Sequence, residues 1–335
     1  MIWGLCALAS PTLTLADTIR LASFHTGLSR DGPGLLLRDL LKPDDAQIAA
    51  TLGVILAADA DIVALQDVDY DAGDAALSAL SERLAAEGAV YPYRIALRPN
   101  TGQPTGVDLD GDGQSYRARD AQGFGYFNGQ GGMAILSRFP IVEVRDFSAF
   151  LWRDLPDGHA GAVVPDTAQP ILRLATVGAW DIAFDLPQGP FHILTLHASP
   201  PVFDGPEDRN GLRNADELRF WQMYLEGWSP DGAPFEAPDF ALIGTLNVDP
   251  HRGEGRRGPL QALLQHPRLQ DPAPEGGGGM ATADWEEPTP GDLRVDYILP
   301  AANLRVTDSA VMWGTEDGPE TEASDHRLVW VDIAF

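Results

Sequence analysis

The sequence of 335 residues contains a single cysteine, Cys6, and this scarcity excludes two kinds of protein. One thiol cannot form a disulfide framework within the chain. Cys6 also lies in an apolar start rich in small residues, and Thr-Leu-Ala at 14–16 before Asp17 resembles a signal cleavage site, although no Lys or Arg precedes it. We therefore predict a signal segment or N-terminal tail over residues 1–16 and a periplasmic or secreted protein. Cleavage would leave no thiol for cysteine catalysis.

Positive charge is also scarce. Lys42 is the only lysine, the formal net charge is -26 and the pI is about 4.4. Such a surface repels polyphosphate backbones, which disfavours binding of bulk nucleic acid. A small phosphoester remains compatible, because a bound metal ion can invert the local field. No later apolar stretch is long enough to span a membrane, and nothing in the sequence indicates the oligomeric state.

Alternating strand and helix patterns indicate an α/β fold. Apolar runs at 19–24 and 61–65 read as strands, and residues 44–58 and 74–87 have helical periodicity. No linker or repeat divides residues 17–335, so we predict one domain.

A long loop is predicted at about 98–130, because this stretch has no apolar period. Within it, Asp108, Asp110 and Asp112 alternate and Gly113 follows, as in the first half of a calcium loop. The twelfth position is Arg119 where such loops have Glu. The loop therefore predicts either a structural Ca²⁺ site or an acidic, solvated turn.

Polar residues of catalytic type recur where predicted strands end, and this repetition indicates a site. Each alone is compatible with a structural hydrogen bond. The set is His25, Asp67, His197, Asn247, Asp296, Asp325 and His326. A polar loop over 200–214 adds Arg209 as a candidate substrate-binding residue. Carboxylates beside imidazoles suit metal binding, phosphate binding and proton transfer.

Six blocks resemble the endonuclease/exonuclease/phosphatase (deoxyribonuclease I-like) superfamily and occur in its order. They are 64–67 (ALQD), 132–138, 194–197, 242–247, 295–298 (VDYI) and 324–327 (SDHR). The resemblance implies a four-layered α/β sandwich, with two packed mixed sheets flanked by helices and the site at one end.

The resemblance also implies a role for each matching residue. Asp67 and Asp325 correspond to carboxylates that bind a divalent cation, with Mg²⁺ or Mn²⁺ expected and Ca²⁺ as a further candidate. His326 corresponds to the imidazole that binds the phosphate or moves a proton, and Asp296 to the acid that orients it. The remaining matches are phosphate-contacting or stabilising positions: His197, Asn247 and, more approximately, Gln130.

Three departures put the activity in question. His25 stands where the family has Asn, Asp67 where it has Glu, and Thr245 where it has the Asp that activates water. A threonine cannot act as a carboxylate base at neutral pH. The predicted function is metal-dependent hydrolysis of a small phosphomonoester or diester, with activity reduced by Thr245. The alternatives are a catalytically silent binding protein on this scaffold and an extracellular nuclease.

Overall fold

The computed structural model describes residues 18–314 and 319–335, and the predicted signal segment at 1–16 lies outside them. Strands and helices alternate along the described chain. The strands are β1 Thr18–Leu28, β2 Ile62–Val68, β3 Tyr93–Ala96, β4 Gly132–Ser137, β5 Ile141–Asp146, β6 Ala179–Leu186, β7 Gly189–His197, β8 Phe240–Thr245, β9 Asp296–Pro300, β10 Arg305–Val311 and β11 Val329–Ala334. The helices are α1 Leu35–Leu40, α2 Ala46–Ala58, α3 Ala75–Ala86, α4 Ala160–Val163, α5 Arg209–Leu225, α6 Arg257–Leu264 and α7 Pro319–Ala323.

The strands form two mixed sheets. The first has the order β10-β11-β1-β2-β4-β3, and the second has the order β5-β6-β7-β8-β9. Each sheet contains one parallel pair, β1 with β2 and β7 with β8, and its other pairs are antiparallel. The carboxyl ends of parallel strands meet at one edge of a sheet, so each parallel pair brings two strand ends together.

Side-chain alternation along the strands explains the layering. In β2, Ile62 belongs to the core between the two sheets, whereas Val63 belongs to the core under α1, α2 and α3. Helices α5 and α6 bury Trp221 and Leu260 in the core that contains the second sheet. The order is therefore helices, sheet, sheet, helices, which confirms the predicted four-layered sandwich.

Two candidate site residues lie inside strands and not after them. His25 is in β1 and Asp67 is in β2, and the pairing register shifts beyond each of them. Such bulges re-aim side chains. Residues 98–130 contain one short 3₁₀ helix, Ala118–Asp120, and isolated bridges. Among the described helices, none has the length and apolar character needed to cross a bilayer.

Candidate active site

A buried carboxylate paired with an imidazole forms the centre of the site. His326 Nδ1 lies 2.7 Å from Asp296 Oδ2, and Asp296 is 1% exposed. Thr245 Oγ1 donates to Asp296 Oδ1 at 2.6 Å, and Thr282 Oγ1 donates to Oδ2 at 2.9 Å. Burial alone would raise the pKa of Asp296, but the charge and hydrogen bond of His326 outweigh it and lower this pKa. Asp296 is therefore held as an oriented carboxylate.

Two further imidazoles pack against this pair. The ring of His25 stacks on that of His326, with centroids 4.0 Å apart and planes 14° apart. The ring of His197 meets His25 edge-on at 5.1 Å. Burial, with a smaller effect of neighbouring imidazoles, lowers the pKa of His25 and of His197 to about 3. Both rings are therefore neutral at pH 7, and the buried Nδ1 of each has no hydrogen-bond partner among the described residues.

Asp67 reaches this cluster through an unusual backbone conformation. Its φ is 56°, in the left-handed region that non-glycine residues rarely adopt. A Cβ on Gly131 would lie 2.6 Å from Asp67 Oδ1, so only glycine leaves room for the carboxylate there. Burial raises the pKa of Asp67, and the neighbouring imidazoles of His197 and His326 oppose that rise. Residues 67, 197 and 326 therefore lie close together, and of these Asp67 and His326 line one pocket.

Asp69, two residues beyond Asp67, fixes the surrounding loops. Its carboxylate accepts the backbone N–H of Arg30 and that of Gly131, each at 2.9 Å. Burial raises the pKa of Asp69 to about 6. Sequence reasoning did not identify this residue, although it follows Gln66-Asp67-Val68 directly.

The cluster opens into a cavity of about 380 Å³, which we call the active-site cavity. Its lining includes His25, Asp67, Asp325, His326 and Trp285. Asp325 is exposed, and the Trp285 ring meets His326 edge-on at 5.3 Å.

Carboxylate and imidazole donors of this cavity suit a divalent cation. In the described part of the chain, however, no three such ligand atoms at this cavity lie within 4.8 Å of one another. A cation held in this cavity by Asp67 and Asp325 would take its other ligands from water or substrate.

Asn247 lies in a neighbouring cavity of about 790 Å³ that shares Trp285 with the active-site cavity. Its φ is 58°, and its Nδ2 donates to the Ala198 carbonyl at 2.8 Å. This bond directs the amide group along the exit of β7. Thr282 and Trp285 were not predicted, because their segment carries no periodic pattern.

Gln130 and Arg209 are not brought to the active-site cavity. The Gln130 side chain accepts the backbone N–H of Tyr126 at 2.7 Å and donates to the Arg30 carbonyl at 3.3 Å, so it holds the loop together. Arg209 lines a different cavity and donates to the Leu109 carbonyl at 2.7 Å.

The acidic loop assembles a different trio from the predicted one. Carboxylate oxygens of Asp108, Asp110 and Asp120 lie within 4.8 Å of one another. Asp112 instead accepts a backbone N–H within the loop and lies 3.4 Å from Arg117. The short helix ending at Asp120 folds this residue back, and its Oδ1 accepts the Leu109 N–H at 2.9 Å. The third carboxylate is therefore Asp120 and not Asp112.

Comparison with known proteins identifies the scaffold. A family model described as "Endonuclease/Exonuclease/phosphatase family" matches residues 36–326. Among solved structures, the chain is similar to an endonuclease/exonuclease/phosphatase from Beutenbergia cavernae, with a TM-score of 0.59 and 20% identity over 95% of this chain and 72% of that one. It is also similar to the human Nocturnin catalytic domain, with a TM-score of 0.52 and 16% identity over 95% and 94% of the two chains.

A third similar structure is sphingomyelinase C from Streptomyces griseocarneus, with a TM-score of 0.51 and 17% identity over 94% of this chain and 99% of that one. No curated protein matches the sequence. At these identities the structural likeness shows the shared fold.

Proposed function

Since this chain belongs to the endonuclease/exonuclease/phosphatase family, whose members hydrolyse phosphoester bonds, we propose that it is a metal-dependent phosphoester hydrolase that acts at the active-site cavity. One observation carries this proposal. A buried Asp296–His326 pair, stacked against a neutral His25, opens into the same cavity as the carboxylates of Asp67 and Asp325. The substrate we propose is a small phosphomonoester or diester.

Proton handling falls to His326 in this proposal. Because the Nδ1–H group of His326 donates to Asp296, the other ring nitrogen of His326, Nε2, is the atom that exchanges a proton with the substrate or with water. Neutral His25 and His197 each carry one N–H that can donate to a non-bridging phosphate oxygen. A divalent cation, held by Asp67 and Asp325, supplies neutralisation of charge on the phosphoryl oxygens when bound.

Thr245 acts in this scheme as a positioning residue. Its hydroxyl cannot remove a proton from water at neutral pH, but it fixes one oxygen of Asp296 at 2.6 Å. Water activation would then depend on the Asp296–His326 pair. This assignment is consistent with a hydrolase of reduced activity.

A catalytically silent binding protein is the second candidate. Two points favour it: the family resemblance predicts a carboxylate where Thr245 stands, and no three ligand atoms cluster tightly at the cavity within the described ranges. An extracellular nuclease acting on bulk DNA is disfavoured by the net charge of -26. We propose a periplasmic or secreted location on the basis of residues 1–16.

Hydrolysis of bis-p-nitrophenyl phosphate with Mg²⁺, Mn²⁺ or Ca²⁺ tests the proposal. His326→Ala should reduce turnover by about 10²–10⁴-fold, the usual contribution of a proton-transferring group. The matched control is His159→Ala, because His159 also pairs with a buried aspartate, Asp216, at 2.7 Å but lies outside the cavity. Equal losses in both variants would reject the role of His326, and no turnover by the wild type with any of these metals would reject the hydrolase in favour of the binding protein.

A further inference from the structure

A second cavity of about 450 Å³, which we call the arginine cavity, lies outside the proposed catalytic machinery. Its lining includes Arg119, Arg209, Phe124, Trp152 and Phe203. The proposed reaction uses none of these side chains, although the sequence predicted Arg209 as a substrate-binding residue.

The two arginines carry positive charge that the chain does not neutralise. Among the described residues, neither Arg119 nor Arg209 has a carboxylate oxygen within 4.0 Å, although the protein has a net charge of -26. Arg119 Nη1 donates to the Phe203 carbonyl at 3.2 Å, and Arg209 Nη1 donates to the Leu109 carbonyl at 2.7 Å. These single bonds orient each guanidinium and leave its other N–H groups available to a ligand.

The carboxylates beside the cavity are engaged elsewhere, and Glu217, which interacts with Arg213, accepts two backbone N–H groups. Asp208, adjacent to Arg209 in the chain, forms its ion pair with Arg256. Arg213, which also lines the cavity, donates to backbone carbonyls only, and burial lowers its pKa to about 10. The positive charge of Arg209 contributes to that lowering. An anion in this cavity would therefore meet two accessible guanidinium groups.

The aromatic walls indicate the rest of the ligand. Phe203 is 76% exposed, and Phe124, which meets Tyr126 edge-on at 5.4 Å, is 55% exposed, so both rings offer apolar surface to a ligand. Phe203 also has a φ of 66°, a conformation that bulky residues seldom adopt and that concentrates at ligand sites. Flat apolar rings fit against such side chains.

The arginine cavity is linked to the active-site cavity through shared walls. Pro200 and Phe203 line both the arginine cavity and the 790 Å³ cavity that contains Asn247. Trp285 lines that middle cavity and the active-site cavity. The three cavities are therefore neighbours in a row, with the middle cavity between the other two.

We infer that the arginine cavity binds the distal part of the substrate, which carries a flat ring and a second anionic group. The assignment of this ligand as a substrate rests on the proposed function, whereas the existence of the binding site does not. Arg119 and Arg209 would bind the second anion by charge-assisted hydrogen bonds, and Phe124 and Phe203 would pack against the ring.

Binding is tested first with naphthalene-1-sulfonate, a ring with an anion that the proposed reaction cannot cleave. Calorimetric titration should give an affinity that falls about 10–100-fold in the Arg119→Gln/Arg209→Gln variant, the loss expected for two charge-assisted bonds. The matched control is Arg94→Gln/Arg98→Gln, which removes the same charge from two arginines that also lack carboxylate partners. It should bind as the wild type does. Arg119→Gln alone, at an exposed position, covers the case in which the double variant does not fold.

Kinetics then test the substrate class with two chromogenic esters. Thymidine 5′-(p-nitrophenyl phosphate) has one anionic group, and its 3′-phosphorylated form has a second. The Arg119→Gln/Arg209→Gln variant should raise KM for the 3′-phosphorylated ester about 10-fold or more beyond any change for the other ester. Equal changes for both esters, or unchanged naphthalene-1-sulfonate affinity in the variant, would overturn the inference. If arginine-dependent binding persists in a protein that cleaves no ester, the proposed function fails and the binding site stands.

Discussion

Thr245 and Thr195 allow a direct test of what holds the Asp296 carboxylate in place. Both threonines are buried in the second sheet, on the neighbouring strands β8 and β7, with 0% and 1% exposure. The Thr245 hydroxyl donates to Asp296 at 2.6 Å. The Thr195 hydroxyl has no hydrogen-bond partner among the described residues. Replacing each by valine removes the same atom from similar surroundings.

The two substitutions should change the free energy of unfolding by different amounts or in opposite directions. Thr245→Val removes a hydrogen bond to a charged group and should lower the free energy of unfolding by about 1.5–3 kcal/mol at pH 7. Thr195→Val removes an unsatisfied buried hydroxyl, so unfolding free energy should stay unchanged or rise by about 1 kcal/mol. Urea denaturation with linear extrapolation measures both.

The pH dependence identifies the carboxylate as the cause. The pKa of Asp296 is lowered in the folded protein, so its ionised form contributes stability that is present above the unfolded value of 3.8 and is lost as pH falls through the folded value. The difference between wild type and Thr245→Val should therefore shrink on acidification. Equal effects of the two valine variants at pH 7 would refute the reasoning, because the bond to Asp296 would then contribute nothing.

Two further predictions concern a buried acid and a close approach. Burial raises the pKa of Glu217 from 4.5 to about 7, so the folded state binds a proton more tightly than the unfolded state. Between pH 4.5 and 7 the wild type should therefore lose about 3 kcal/mol of stability relative to Glu217→Gln. Urea denaturation across that pH range measures the loss. Gly131→Ala should displace the Asp67 carboxylate, since its Cβ would lie 2.6 Å from Oδ1, and should reduce metal-stimulated turnover about 100-fold. Gly34 has a similar positive φ, and a Cβ there would have nothing within 4 Å. Gly34→Ala should therefore share the backbone cost of about 1–2 kcal/mol but retain turnover. Comparable turnover in the two variants would contradict the role of Gly131.

The periodic part of the sequence predicted an α/β fold because strands buried on both faces read as apolar runs, and the family resemblance predicted the four-layered sandwich. The same runs located Asp296 and His326, which the structure brings to 2.7 Å. The apolar runs predicted that His25 and Asp67 follow their strands, and this was wrong. Both residues lie within strands that contain β-bulges, and amino-acid composition does not reveal a β-bulge. Thr282 was missed for a related reason: it comes from an irregular segment, where only the three-dimensional path shows that it reaches Asp296.

The acidic loop shows a different limit of sequence reasoning. Regular spacing suggested Asp112 as the third carboxylate, but a turn of 3₁₀ helix brings Asp120 to the cluster. Asp112 is only four residues beyond Asp108 in the sequence, whereas Asp120 is twelve residues beyond it. Their selection depends on backbone hydrogen bonds, here from Leu109 to Asp120, that no side-chain pattern specifies.

Electrostatics of the active-site cavity give an independent reason to expect a cation there. Burial keeps His25 and His197 neutral at pH 7, so they add no positive charge. Asp296 is ionised, and the cavity lining adds the carboxyl groups of Asp67 and Asp325 in a chain of net charge -26. A phosphoester would be repelled from such a pocket unless a divalent cation offset the carboxylates. Turnover should therefore be lost on chelation, and salt that screens long-range repulsion should not restore it, since screening acts weakly on charges within a few ångströms inside a protein.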